Sequence, residues 1–310
     1  MSSDNNKILV TGASSFIGRH VTNHLAREGL NVVATYRSRN AFLESLALRH
    51  EGLTLAQIDL TNWRDFSLLP SQIGAVVHIA GVSTGPEVAI DDMLAVNVMG
   101  TRHVQRYALS TGVRKIVHTS SLSVYGSILD KEVNELTAIN NPDPYGSTKY
   151  LAERLLASTA DQIPTVALRL PGILGKGAHR AWLPSLVDDL RQGKEVTIYN
   201  PNSYFNNAVH VDDLSKLITQ LLKTSSWDGY YAFPLGASGK MTIERVVRLL
   251  HTALESQSKL SVIGANKTSF TIDSACARKR FGFVPSSIDH VLSNYINDLL
   301  YPQNSGQSPV

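Results

Sequence analysis

The stretch from Lys7 to Glu28, KILVTGASSFIGRHVTNHLARE, narrows the possible folds of this chain more than any other. Ile8, Leu9 and Val10 form a short apolar run of the buried-strand kind, and Gly12 breaks it sharply. Ile17, Val21 and Leu25 then recur at i+4 spacing, which places them on one face of a helix stopping near Gly29. A strand, a tight turn and a helix leave the first N–H groups of that helix without intrahelical acceptors, a setting that favours an anion such as a pyrophosphate. Gly12 lets the chain turn, and Gly18 lets helix and strand approach closely. The spacing departs from GxGxxG, because Ser15 stands where the middle glycine would be.

Beyond this unit, short β-rich runs at Asn31–Tyr36, Leu53–Ile58, Ala75–Ile79, Lys115–Thr119 and Thr165–Leu170 alternate with helical patterns. Such alternation predicts an α/β fold, a Rossmann-type doubly wound parallel sheet whose ligands lie beyond the carboxyl ends of its strands. After Leu170 the rhythm changes: Pro171, Gly172, Gly175, Gly177 and Pro184 crowd together, and helices such as Leu214–Lys223 and Ile243–Leu254 no longer alternate regularly with strands. The expected division is a dinucleotide-binding domain over 1–170 and a smaller, mainly substrate-binding C-terminal lobe over 171–310, with about 205–225 returning to the first domain. The tail SGQSPV reads as disordered.

Composition excludes several classes. A net charge of +3 with scattered Lys and Arg does not suit nucleic acid or an acidic membrane as the main partner, and no apolar run approaches a membrane span. The lone Cys276 cannot form an internal disulfide, and the N-terminus MSSDNNK lacks an apolar leader core, so the expectation is a cytoplasmic protein. No cluster has metal-ligand spacing.

The strongest chemical signal is the strand KIVHT running into SSLSVYG, followed by PYGSTKYLAERLL, in which Tyr145 and Lys149 stand at i+4 on one helical face. A phenol ordinarily titrates near 10, too high for a base at neutral pH, whereas a neighbouring ammonium and a nicotinamide cation favour the phenolate. Ser121 is placed to hydrogen-bond a substrate oxygen, Tyr145 to exchange its proton, and hydride to pass between carbon and nicotinamide. Asn97, on a helix of mostly apolar or small residues, reads as a satisfied buried amide or as a member of a proton relay, and the two readings are compatible. Arg37 lies 19 residues past Gly18, near where an acidic residue would hold the ribose of NAD. It suits a 2′-phosphate, so the expected cofactor is NADP, NAD being possible, with Arg39 as a helper. The alternative is that both arginines are simply part of a solvated loop.

TGASSFIG, VVHIAG, NVMGT, HTSSLSVYG, PYGSTK, LRLPGILG and AVHVDD together resemble the extended short-chain dehydrogenase/reductase family, the NAD-dependent epimerase/dehydratase type, to about Asn297. The resemblance implies a catalytic trio of Ser121, Tyr145 and Lys149 with Asn97 as accessory. It implies a dinucleotide lined by Gly12, Ser15, Phe16, Ile17, Gly18, Arg37, Asp59, Leu60, Ala80 and Gly81, with Pro171 and Ile173 near the nicotinamide. It further implies a nucleotide-sugar substrate and a homodimer through the helices carrying Asn97 and Tyr145.

There are departures. Leu122 and Ser123 follow the catalytic serine where dehydratases carry an acid pair, which excludes dehydration. Gly172 and Asn206 replace the asparagine and arginine that hold the substrate in nucleotide-sugar enzymes, so that charge-assisted clamp is missing, and Arg169, Lys176, His179 or Arg180 are the substitutes to consider. His210 and Asp212 read as structural. The leading expectation is an enzyme that reduces a keto sugar, with three alternatives: an epimerase working through a transient 4-keto intermediate, an NADPH-dependent carbonyl reductase on a non-nucleotide substrate, or a dinucleotide-sensing or RNA-binding scaffold on the same fold.

Overall fold

The computed structural model describes residues 7–85, 87–224, 227–264 and 269–301. The tail SGQSPV therefore lies outside the described residues.

The first compact unit comprises residues 1–127, 138–170 and 214–233. It opens with β1 (Ile8–Thr11), α1 (Phe16–Arg27), β2 (Val32–Tyr36), α2 (Ala41–Arg49), β3 (Leu53–Gln57) and β4 (Ala75–His78). A short helix α3 (Ile90–Met93) runs through a π-helical segment, Leu94–Gly100, into α4 (Thr101–Thr111), then β5 (Lys115–Ser121). The two-residue β6 (Glu132–Val133) belongs to the second unit; α5 (Pro144–Ala157) and β7 (Thr165–Leu170) return to the first. β3 and β4 each end one residue earlier than the sequence pattern suggests, and β5 runs two residues further. The extra residues of β5 pair with β7, where Ser120 meets Arg169 and Ser121 meets Leu170, so the ladder carries the strand to Ser121.

These strands form a seven-stranded sheet in the order 3-2-1-4-5-7-12, and the pairings from β3 through β7 are all parallel. Parallel strands covered on both faces read as continuous apolar runs, and β1, β4 and β7 are buried along their whole length. Alternate residues serve opposite faces. On one face Leu9, Val33, Val76 and Ile116 pack with Val104, Tyr107 and Ala108 of α4 and Leu156 of α5. Because the order reverses between β1 and β4, the crevice of a doubly wound sheet opens at their carboxyl ends.

In the second unit, β8 (Gly172–Leu174), α6 (Trp182–Arg191), β9 (Val196–Tyr199), β10 (Tyr204–Phe205) and β11 (Ala208–His210) lead to α7 (Val211–Lys223). α7 takes the chain back to the first unit, where β12 (Tyr230–Pro234) lies beside β7 as the sheet edge. Lys115 of β5 donates to the carbonyls of Leu221, Leu222 and Thr224, so an ammonium closes the negative end of α7. The chain then completes the second unit with β13 (Met241–Thr242), α8 (Ile243–Ala253), β14 (Leu260–Ile263), β15 (Thr271–Ile272), α9 (Ala275–Phe281) and α10 (Ile288–Leu300). Its core gathers Leu186, Val187 and Leu190 of α6, Val246, Val247 and Leu250 of α8, and Val291, Leu292 and Tyr295 of α10. No helix among the described residues is long and apolar enough to cross a membrane.

Candidate active site

At the carboxyl end of β1, Gly12 has φ +69°, and a Cβ there would lie 2.6 Å from the Ala80 Cα just beyond β4. A Cβ on Gly18 would lie 2.1 Å from the Gly12 carbonyl oxygen. Neither gap admits a side chain, and the start of α1 therefore sits directly on the turn. Ser15 occupies the N-cap, where its hydroxyl accepts the Gly18 N–H at 3.1 Å. Serine in place of the middle glycine thus occupies one first-turn donor and leaves the others of that turn directed outward. Phe16 is buried, Ile17 half-buried, and the cradle fits a dinucleotide pyrophosphate.

The other expected cofactor residues sit at neighbouring strand ends. Arg37 follows β2, exposed, with no partner for its guanidinium among the described residues; its carbonyl accepts from Gln57. Arg39 is engaged with Glu44 at 3.0 Å in an exposed pair. Asp59 accepts from the N–H and hydroxyl of Thr61 through one oxygen, while Leu60 is buried in the core and its carbonyl accepts from His103. Pro171 and Ile173 lie on the second unit, Ile173 within β8 opposite Val209.

Ser121, Tyr145 and Lys149 converge within the first unit. Asp143 caps α5 by accepting the Gly146 N–H at 2.6 Å, and Pro144 fits the first turn because the N–H it lacks would have no acceptor there. Tyr145 follows at once. A Cβ on Gly146 would strike the Ser123 carbonyl at 2.0 Å, and this close approach holds α5 against the end of β5. The Ser121 hydroxyl accepts the Ser123 N–H at 3.1 Å and is hydrogen-bonded to the Tyr145 phenol. Burial raises the Tyr145 pKa, the Ser121 bond draws it down, and the Asp143 carboxylate raises it again. Lys149 is itself buried, its Nζ turned to Gly81, where a Cβ would stand 3.7 Å away. Burial brings the Lys149 pKa down to about 8, against the pull of Glu153 one turn along.

Asn97 bonds to the Val82 backbone in both directions, accepting its N–H at 2.7 Å and donating to its carbonyl at 2.9 Å, and it donates to Thr148 at 3.0 Å. Both amide protons are engaged, so its side chain bridges the segment after β4 and α5. A second buried chain supports it. Thr101 donates to the Asn97 carbonyl at 2.6 Å, which leaves its oxygen to accept from His78 Nε2 at 2.9 Å, and His78 Nδ1 then accepts from Thr11 at 2.7 Å. The tautomer of His78 is thereby assigned. Burial first, and the Lys149 charge second, bring its pKa down to about 3, so the ring stays neutral. The fixed pattern Thr11–His78–Thr101–Asn97 was not singled out from sequence; the one available signal was a histidine inside an otherwise apolar parallel strand.

Arg169 is no substrate clamp. It is buried and makes a two-point pair with Glu153, Nε to Oε1 at 3.0 Å and Nη2 to Oε2 at 2.8 Å, while Ser120 donates to the same carboxylate at 2.5 Å. Its guanidinium lies over the Tyr125 ring at 4.7 Å. Of the other substitutes, Lys176, His179 and Arg180 are exposed loop residues of the second unit. His210 contacts Asp298 at 3.2 Å and Asp212 at 3.5 Å; burial works against its charge, but those carboxylates win and lift its pKa to about 9. Among the described residues no cluster could hold a metal ion.

The NAD dependent epimerase/dehydratase family model matches residues 8–230. The chain belongs to this family. It is 26% identical over 328 residues to the UDP-glucose 4-epimerase of Lactobacillus helveticus, covering 93% of this chain and 95% of that one. It is also 33% identical over 171 residues to the UDP-glucose 4-epimerase of Bacillus subtilis, about half of each chain. The structure of MoeE5 in complex with UDP-glucose and NAD superposes with a TM-score of 0.79 at 25% identity, covering 96% and 99% of the two chains. UDP-glucuronic acid 4-epimerase from Bacillus cereus in complex with NAD shares the fold, with a TM-score of 0.81 at 22% identity. This is an enzyme of the extended short-chain dehydrogenase/reductase type.

Replacing Arg169 by Met strands the Glu153 carboxylate in the core. The expected loss is about 3–5 kcal/mol of stability, read as a lower urea midpoint at pH 7. An unchanged midpoint would mean that the pair is solvated in solution.

Proposed function

We propose that this chain is a dehydrogenase/reductase that interconverts a hydroxyl and a keto carbon of a sugar, working towards reduction of the keto form with NADPH. The observation that supports it is the hydrogen-bonded Ser121–Tyr145 pair with buried Lys149 four residues along α5. When bound, the nicotinamide supplies hydride. The protein supplies the proton: burial keeps the Tyr145 phenol protonated at neutral pH, ready to be given to a carbonyl oxygen that Ser121 also holds. Lys149 keeps its ammonium below about pH 8 and would hold the nicotinamide ribose when the cofactor is bound. Leu122 and Ser123 offer no acid pair, which argues against dehydration.

A second reading, epimerisation through a transient ketone, rests on the similarity to UDP-glucose 4-epimerases. The direction proposed here rests on Arg37: its guanidinium after β2, without a partner among the described residues, suits a 2′-phosphate, and a net reductant exchanges its cofactor at every turnover. We also infer a homodimer through the face that carries the exposed Leu94, Met99, Leu109 and Leu151.

Tyr145→Phe should abolish turnover of keto sugar while leaving the cofactor dissociation constant nearly unchanged, because it removes the proton and keeps the ring. Retained turnover would sink the mechanism. Arg37→Ala should weaken NADPH by about one to two powers of ten in a fluorescence titration, since a charge-assisted hydrogen bond contributes roughly 1.5–3 kcal/mol, with NADH barely affected. Equal losses, or a parent that prefers NADH, would return epimerisation to first place. Sedimentation velocity should give about twice the 33.8 kDa chain mass, and Leu151→Lys should yield the monomer. A monomeric parent rules the dimer out.

A further inference from the structure

Tyr145 is the second residue of α5 and stands in a first turn whose N–H groups have no intrahelical acceptors, so the helical ladder holds it from one side only. Asp143 caps this turn, and Gly146 lies on the Ser123 carbonyl. A third hold comes from Thr148. Its hydroxyl donates to the Tyr145 carbonyl at 2.8 Å and accepts from the Asn97 amide at 3.0 Å. Thr148 is buried, and a β-branched side chain on a helix is stiff about χ1, so the bond back to the residue three earlier fixes where its oxygen points.

The chain of bonds that reaches Thr148 starts beside the glycine turn. The Thr11 oxygen accepts the N–H groups of Ile79 and Ala80 at 3.2 and 3.3 Å, and its proton goes to His78 Nδ1. His78 Nε2 donates to Thr101, and Thr101 donates to the Asn97 carbonyl. The Asn97 side chain then holds Val82 in both directions and also donates to Thr148. A hydroxyl has one proton, and each of these three threonines has placed its own, so the donors run in one order from Thr11 to the carbonyl of Tyr145. Residues 79–82 are gripped at both ends by this chain, with Gly81 between, facing Lys149.

We propose that Thr148 is a positioning residue, which sets the Tyr145 phenol against Ser121 by tying the first turn of α5, through Asn97, to the segment past β4. The competing role for a buried helix threonine is local, a bond to its own helix and nothing more. A hydroxyl in that role has no need of an amide donor 51 residues away in the chain. The carbonyl it holds, moreover, belongs to the residue whose phenol bonds to Ser121. A bond between two hydroxyls spans about 2.5–3.0 Å, so a displacement of roughly 1 Å at Tyr145 breaks it. That this placement serves proton transfer rests on the oxidoreductase reading; the placement itself does not.

NMR of the full chain, isotopically labelled at tyrosine Cζ, tests the proposal without cofactor or substrate, the Tyr145 signal being assigned with Tyr145→Phe. Thr148→Val keeps the branched shape and removes the hydroxyl. It should move the Tyr145 signal by more than its linewidth, because the shift of that carbon follows the hydrogen bonding of the phenol, and Thr148→Ser should return it to the parent position. Thr219→Val makes the same change in α7, where the hydroxyl donates to the Ser215 carbonyl at 2.9 Å, and should leave Tyr145 unmoved. If Thr148→Val does not fold, Thr148→Cys, with its weak S–H donor, carries the same expectation. An unmoved Tyr145 signal in the folded variant, a serine variant that does not restore it, or an equal shift in Thr219→Val would each overturn the proposal. Retained turnover in Tyr145→Phe would leave it standing and remove only the chemistry built on it.

Discussion

Two missing side chains govern this molecule. With a Cβ 2.1 Å from the Gly12 oxygen, any residue but glycine at position 18 would lift α1 off β1, and the same holds for Gly12 against Ala80. The helix start is thereby brought to the point where the strand order reverses, and the first-turn amides are aimed into the crevice. Overpacking at such a contact costs typically 1–3 kcal/mol, yet the geometric consequence is greater than the energetic one, because a small displacement of the amides removes the anion site altogether. Gly146 against Ser123 repeats the device at α5, and there it places a phenol beside a serine.

The second constraint is the burial of charge. Lys149 is nearly inaccessible, and its ammonium persists near neutral pH because Glu153 offsets part of the desolvation. Glu153 in turn is held by Arg169 and Ser120. Each buried ion is tolerable only through the next, so Lys149, the helix that carries it and the last residues of β5 and β7 form one electrostatic unit. His78, kept neutral between Thr11 and Thr101, completes the floor without adding charge.

Much of this was legible in the residues. The strand, turn and helix at the N-terminus, the parallel sheet and the meeting of Ser121 with Tyr145 follow from local patterns that a packed sheet has no reason to override. What could not be read is pairing across distance. Arg169 in LRLPG carries the same letter whether it faces a ligand or a buried carboxylate 16 residues earlier in the chain. Asn97 sits in a helical pattern, yet the structure widens that turn into a π segment, with Asn97 buried and its carbonyl engaged by Thr101, and periodicity is blind to one extra residue in a turn. Spacing likewise shows that Tyr145 and Lys149 share a face and does not show how much water each has lost.

The route of the chain through its two units bears on how the protein is made. The sheet closes only when residues 214–233 return and β12 covers β7, some sixty residues after β7 itself has formed. Until then a fully buried strand type is an open edge, the kind of template on which nascent chains pair with one another. Synthesis therefore passes through an interval in which the first unit is nearly complete but unsealed, and the long non-local closure makes folding slow for a chain of this size. A fragment ending at Leu170 would hold Ser121, Tyr145 and Lys149 and still be unsuited to life in solution.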